Sequence, residues 1–216
     1  MKQVLRIVDL THEFLMETAS EPTSLPGKDS GVHRTKLQSF LGTFLGTRVD
    51  APAIVLDGAK TIDLFGPEAF VHDAVLLDLS DKKAREPIDD EDLEAAEERA
   101  GVALREGEMV LVQTGWERFY PNHDYWLNYP VLSENAAQYL EFKHVAALGV
   151  DTPSVDSPDS KTLPVHTILL RKEILVFENL CNLNRLSQTR FQLIALPLKV
   201  KAASAPVRAI AMLDGI

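Results

Sequence analysis

The octapeptide Leu45-Gly46-Thr47-Arg48-Val49-Asp50-Ala51-Pro52 restricts the fold of this chain more than any other stretch. Thr43 to Asp50 predicts a strand, because Phe44, Leu45 and Val49 are strand formers. Pro52 ends the ladder, having no N–H to donate. Side chains alternate across a strand, so Phe44, Arg48 and Asp50 are expected on one face. An aromatic ring, a guanidinium and a carboxylate do not make an ordinary apolar core.

At 216 residues the chain is long enough for a substantial core. Its net charge of −10 argues against nucleic acid or an anionic membrane as partner. No apolar run approaches the ~20 residues that span a bilayer. Met1 to Arg6 leads straight into a strand-like segment and lacks the features of a signal peptide. The single cysteine, Cys181, excludes an internal disulfide and fits a reducing compartment. A cytoplasmic protein is the expectation.

Along the chain, Leu5 to Leu10 is an apolar run ending in Thr11-His12-Glu13. Glu17 to Gly31 is rich in Ser, Pro, Gly and Thr and predicts an irregular loop. Val32 to Asp50 predicts one long strand or a hairpin, with Gly42 at a bulge or turn. Val75–Leu79 and Met109–Gln113 predict buried strands, and Asp89-Asp90-Glu91-Asp92 opens a helix to about Ala100, its acids at the positive end. Ser133 predicts the N-cap of a helix through Leu148, with Ala137, Leu140, Val145 and Leu148 inward and Gly149 stopping it. Phe191–Leu198 and Pro206–Leu213 predict two final strands.

The octapeptide resembles the signature of the cyclase family, metal-dependent hydrolases that include bacterial kynurenine formamidase and isatin hydrolase. In words that signature is His-any-Gly-Thr-His-any-Asp-any-Pro-any-His. Gly46, Thr47, Asp50 and Pro52 match it, whereas Phe44, Arg48 and Ile54 stand at its three His positions. Further blocks resemble the family: Asp9-Leu10-Thr11-His12, Gly149 to Asp156, His166 through Glu178-Asn179-Leu180, Ala195 to Lys199, and Pro206 to Ala211. The likeness runs from Asp9 to Leu213, so residues 1–216 are expected to form a single domain. The fold it implies is α/β and β-rich, of the swivelling β/β/α kind, with a barrel-like mixed sheet and flanking helices. It also implies a homodimer or homotetramer acting on a small molecule.

In the family the first two His and the Asp bind metal and the last His transfers protons. A His and a Glu twelve positions apart complete the ligands, and His166 and Glu178 stand at that spacing. The resemblance therefore leaves Asp50, His166 and Glu178 as a metal set for Zn²⁺ or Mn²⁺, bound weakly or not at all. Arg48 puts a fixed positive charge where a ligand belongs, and guanidinium does not deprotonate to become one. It is shaped instead to bridge Asp50 and Glu178, replacing missing metal charge. Ile54 transfers no proton; His33, His72 and His123 are the substitutes to weigh against plain surface or structural roles. His12 reads as a structural hydrogen-bonding residue, and His144 as a surface residue of the helix.

Trp116, Phe119 and Tyr120 line a pocket for a flat ring or form an aromatic core patch, and both readings stay open. Cys181 reads as a small buried hydrophobe and not a nucleophile. Ser154 and Asp156 read as turn residues. The expectation for function is a cyclase-family amide or lactone hydrolase, arylformamidase-like, whose activity is weak, altered or absent. The alternative is a non-catalytic ligand-binding or assembly protein on the same fold.

Overall fold

The computed structural model describes residues 5–12 and 46–214. In chain order the strands and α-helices are β1 (Arg6–Asp9), β2 (Arg48–Asp50), β3 (Val71–Asp78), β4 (Pro87–Ile88), α1 (Asp90–Ala100), β5 (Met109–Gln113), α2 (His123–Leu127), β6 (Val131–Leu132), α3 (Glu134–Phe142), β7 (Ala147–Val150), α4 (Pro164–Leu170), β8 (Leu175–Glu178), β9 (Arg190–Pro197) and β10 (Ser204–Leu213).

The main sheet closes on itself. Its order is β10-β2-β8-β7-β5-β3-β9, and β9 pairs back onto β10. The result is the barrel-like mixed sheet that the resemblance implies. β10 closes it by being long: its first residues pair with β2, its last with β1 on the same side, and β9 runs along the other edge. β3, β5, β7 and β8 are mutually parallel, and the remaining pairings in this sheet are antiparallel. The parallel strands read as near-continuous apolar runs because both of their faces are covered. One face fills the barrel with Met109, Leu111, Phe177, Leu193 and their neighbours. The other, with Val110, Val112, Leu148 and Val176, lies under α1, α3 and α4. Among the described residues no helix is long and apolar enough to cross a membrane.

α1 starts where its acids predict, held by a capping box in which the Asp89 backbone N–H donates to Asp92 Oδ2 at 2.8 Å. Ser133 caps α3 as expected, accepting from the Ala136 N–H at 3.1 Å. The end of α3 differs from the sequence reading. The helix stops at Phe142, and His144, exposed as expected, lies beyond it with φ 53°. Val145 to Val150 is not helical; Ala147–Val150 is β7, parallel between β5 and β8. A fully buried apolar run shows the same pattern in helix and strand, so periodicity did not separate them. The Glu17–Gly31 loop and Val32 to Leu45, including Phe44, lie outside the described residues.

Gly149 stops no helix; it lets strands and a loop pack closely. A Cβ there would meet Leu111 Cδ2 at 2.5 Å, Leu180 Cδ1 at 2.7 Å and Met109 Cε at 2.9 Å. Gly149→Ala should therefore overpack the barrel and cost about 1–3 kcal/mol. Urea unfolding should show a lower midpoint at an unchanged m value; an unshifted midpoint would show that the barrel absorbs the methyl group.

Candidate metal centre

The site is built at the carboxyl ends of the parallel strands, on the face that α4 covers. β2 carries Arg48 and Asp50 on one face, as alternation requires. Its antiparallel pairing with β8 sets Glu178 opposite Arg48. Pairing with β10 sets Ser204 opposite Asp50. Four polar side chains from three strands thus share one buried patch.

α4 delivers the fifth. Pro164 opens the helix, where its missing N–H is no loss. The Asp156 carboxylate accepts the Val165 N–H at 2.9 Å and the His166 N–H at 3.0 Å, satisfying donors that the first helical turn leaves unpaired. Asp156 Oδ2 also lies 2.7 Å from His166 Nδ1. This orients the ring and directs Nε2 toward Asp50 Oδ2 at 3.5 Å and Glu178 Oε1 at 3.2 Å.

Ligand atoms of Asp50, His166 and Glu178 all lie within 4.8 Å of one another. The 3.2 Å approach of Glu178 Oε1 to His166 lacks hydrogen-bond geometry, and this buried oxygen has no hydrogen-bond partner. An unsatisfied carboxylate oxygen facing a carboxylate-held imidazole is a natural place for a cation. One imidazole and two carboxylates suit a divalent ion such as Zn²⁺ or Mn²⁺. The residues present fit the group.

Arg48 sits on the other side of Asp50. It is 5% exposed, and its Nε donates to Asp50 Oδ1 at 3.2 Å and to Ser204 Oγ at 2.8 Å. The Ser204 hydroxyl contacts the same Asp50 oxygen. Oδ1 is thus held by Arg48 and Ser204, while Oδ2 faces His166.

Burial tends to raise the pKa of Asp50, but the His166 hydrogen bond and the charge of Arg48 outweigh it and hold the carboxyl below its ordinary value. Burial and the neighbouring Asp50 charge push Glu178 upward. Burial opposes charge on His166, yet its hydrogen bond to Asp156 and the nearby carboxylates of Asp50 and Glu178 raise it well above an ordinary imidazole.

Beyond the cluster, the Thr47 hydroxyl donates to the Asn179 carbonyl at 2.5 Å and accepts the His12 N–H at 2.8 Å. Tyr125 donates its phenol proton to Asn179 Oδ1 at 2.8 Å, and Tyr129 to the Asp156 carbonyl at 2.9 Å. Trp116, Tyr125 and Tyr129 form a buried aromatic cluster, with Phe119, Tyr120 and Trp126 half-buried against it. The patch is therefore core at Trp116 and half-open at Phe119 and Tyr120.

Ile54 is half-buried and packs on the helix-side core. His72 Nε2 lies 2.9 Å from the Ala69 carbonyl, His123 is exposed at the start of α2, and His33 lies outside the described residues. Sequence reasoning missed Asp156, Ser204 and Asn179. Asp156 carried a usable signal, as an acid shortly before a proline-led helix bearing a ligand. Ser204 carried none, because only pairing of distant strands places it beside Asp50.

Comparison with known proteins bears on the family and the fold. The Cyclase family model, described as "Putative cyclase", matches residues 8–157. A kynurenine formamidase from Bacillus cytotoxicus is 34% identical over 216 residues, covering 94% of this chain and 95% of that protein. The match to the Bordetella petrii kynurenine formamidase is 39% identical over 89 residues and spans 42% of that relative's length. Isatin hydrolase A from Labrenzia aggregata, solved bound to benzyl benzoate, superposes with a TM-score of 0.77 at 24% identity, covering 97% of this chain and 94% of that one. That likeness is one of fold.

Proposed function

Because this chain belongs to the cyclase family, we propose that it is a hydrolase of amide or lactone bonds, arylformamidase-like, whose centre takes one divalent ion on Asp50, His166 and Glu178. The observation that carries the reading is the buried, unpartnered Glu178 Oε1 beside His166 and Asp50. When bound, such an ion supplies a Lewis acid that polarises a carbonyl and acidifies water.

The chain's own residues set the rest. Asp156 fixes the ring of His166 and leaves Nε2 toward the site. Arg48 holds the opposite oxygen of Asp50, so a permanent charge stands where the family signature carries an imidazole. Three ligands next to a guanidinium bind metal less tightly than a full set, since the fixed charge opposes the cation. The half-buried ring of Phe119 would give a flat, ring-bearing substrate a surface to lie against.

One observation favours a second reading, a non-catalytic binding protein on the same fold. Ile54, at the position of the proton-transferring His, packs against the apolar core and carries no titratable proton. The two readings separate by assay. Protein supplied with Mn²⁺ or Zn²⁺ should hydrolyse an aryl formamide or a cyclic aryl amide, and Glu178→Gln or a chelator should abolish turnover. Binding of such compounds without turnover by the metal-loaded wild type would establish the binding protein instead.

A further inference from the structure

A second group of donors shares no residue with the Asp50 cluster. Thr11 bridges to Leu180 and the Cys181 N–H donates to the Leu10 carbonyl at 3.0 Å, which brings His12 alongside Cys181. Glu117, on the turn Trp116–Phe119, accepts the Asn182 N–H through its carboxylate. Ligand atoms of His12, Glu117 and Cys181 lie within 4.8 Å of one another. His12 Nε2 is buried and has no hydrogen-bond partner. The His12 ring is set in place by stacking on Tyr120, with centroids 3.9 Å apart and planes at 23°.

We propose that His12, Glu117 and Cys181 form a second metal site, a mixed nitrogen, oxygen and sulfur set suited to Zn²⁺. The Asp50 cluster has no sulfur donor, and the two sites differ in chemistry for that reason. Imidazole nitrogen, carboxylate oxygen and thiolate sulfur are the donors Zn²⁺ takes, and three protein ligands leave its fourth position open. His12 and Glu117 are half-buried and Cys181 is buried beside them.

Burial sets the state of all three donors, and it raises the Glu117 carboxyl above its ordinary value. Burial lowers the His12 pKa to about 4, so the imidazole is neutral and its lone pair available at ordinary pH. Burial, with the charges of Glu117 and Asp9, pushes the Cys181 thiol up to about 12. A thiol so held is no nucleophile, which argues against reading the trio as a covalent catalyst. A bound cation reverses that balance: the sulfur loses its proton to solvent and ligates as thiolate.

Cobalt tests the assignment, because thiolate ligation gives Co²⁺ a near-ultraviolet charge-transfer band and the chain has one cysteine. Metal-free full-length protein titrated with Co²⁺ should develop that band to saturation, with the intensity of one thiolate-bound ion per chain. The band should vanish in Cys181→Ser, require at least ~10-fold more Co²⁺ in His12→Gln, and persist in Glu178→Gln. Zn²⁺ should also slow alkylation of Cys181 in the unmodified chain, a readout that needs no variant to fold. Absence of the band at saturating Co²⁺ would overturn the proposal. So would a band of unchanged affinity in the His12→Gln, Glu117→Gln double variant, which would show a lone thiolate.

Discussion

Replacing Arg48 with alanine should destabilise the protein by about 3–5 kcal/mol, the usual cost of removing one partner of a buried ion pair. Arg48 and Asp50 are both almost fully buried, and the variant would leave Asp50 beside Glu178 with one cation fewer. Arg48→Met, which keeps much of the volume, should be little better, since the missing charge dominates. The penalty should depend on pH. The folded-state pKa of Asp50 is lowered from 3.8, so its stabilising contribution is present above that value and is lost as pH falls through the folded pKa. The difference between Arg48→Ala and wild type should thus be largest near neutrality and shrink in acid. Arg48→His should differ in kind, because it offers a ligand: Zn²⁺ should raise its melting temperature more than that of wild type. A loss below ~1 kcal/mol for Arg48→Ala at neutral pH would place the pair among ion pairs of no structural consequence.

The second large effect belongs to Asp156. Its carboxylate serves two backbone N–H groups at the start of α4 and the ring of His166. Asp156→Ala strands these buried donors, at about 1–3 kcal/mol for each group left unsatisfied, with partial relief by rearrangement. Asp156→Asn is the more telling variant. Its amide oxygen can still accept from one helix N–H, but an amide N–H facing Nδ1 favours the tautomer with its proton on Nε2. That proton would block the ligand position. Metal affinity should fall about 10–100-fold, the range for groups that orient a metal-binding His, with a smaller loss of stability than in the alanine variant. Unchanged affinity in Asp156→Asn would mean that His166 is positioned by its helix alone.

How much of this was legible follows from how far apart the cooperating residues lie. Arg48 and Asp50 are two apart, and strand alternation alone put them on one face. His166 and Glu178 were found through resemblance in their spacing; nothing in their local chemistry shows that they meet Asp50. That meeting depends on the pairing of β2 with β8. Ser204 depends likewise on β10 reaching β2, and the contact of β3 with the distant β9 has no local signature. Asp156 was read as a turn residue because Ser, Asp and Pro commonly make turns, a rule that does not register a helix start waiting for an anion. The sequence predicts α3 through Leu148, six residues too far, because Val145 to Leu148 is apolar throughout. Cys181 is buried as expected, but its approach to His12 joins segments about 170 residues apart, through the Thr11–Leu180 bridge and the Cys181 N–H to Leu10 carbonyl bond.

The claim that Asp50, His166 and Glu178 hold one ion, with Arg48 on the far side of Asp50, meets its most direct test in Mn²⁺. This ion favours oxygen and nitrogen donors over thiolate. Metal-free protein titrated with Mn²⁺, with the free ion followed by electron paramagnetic resonance, should take up one ion per chain. Uptake should be unchanged in Cys181→Ser and lost in Glu178→Gln. A chain that takes up no Mn²⁺, or takes it up equally well without the Glu178 carboxylate, contradicts the claim.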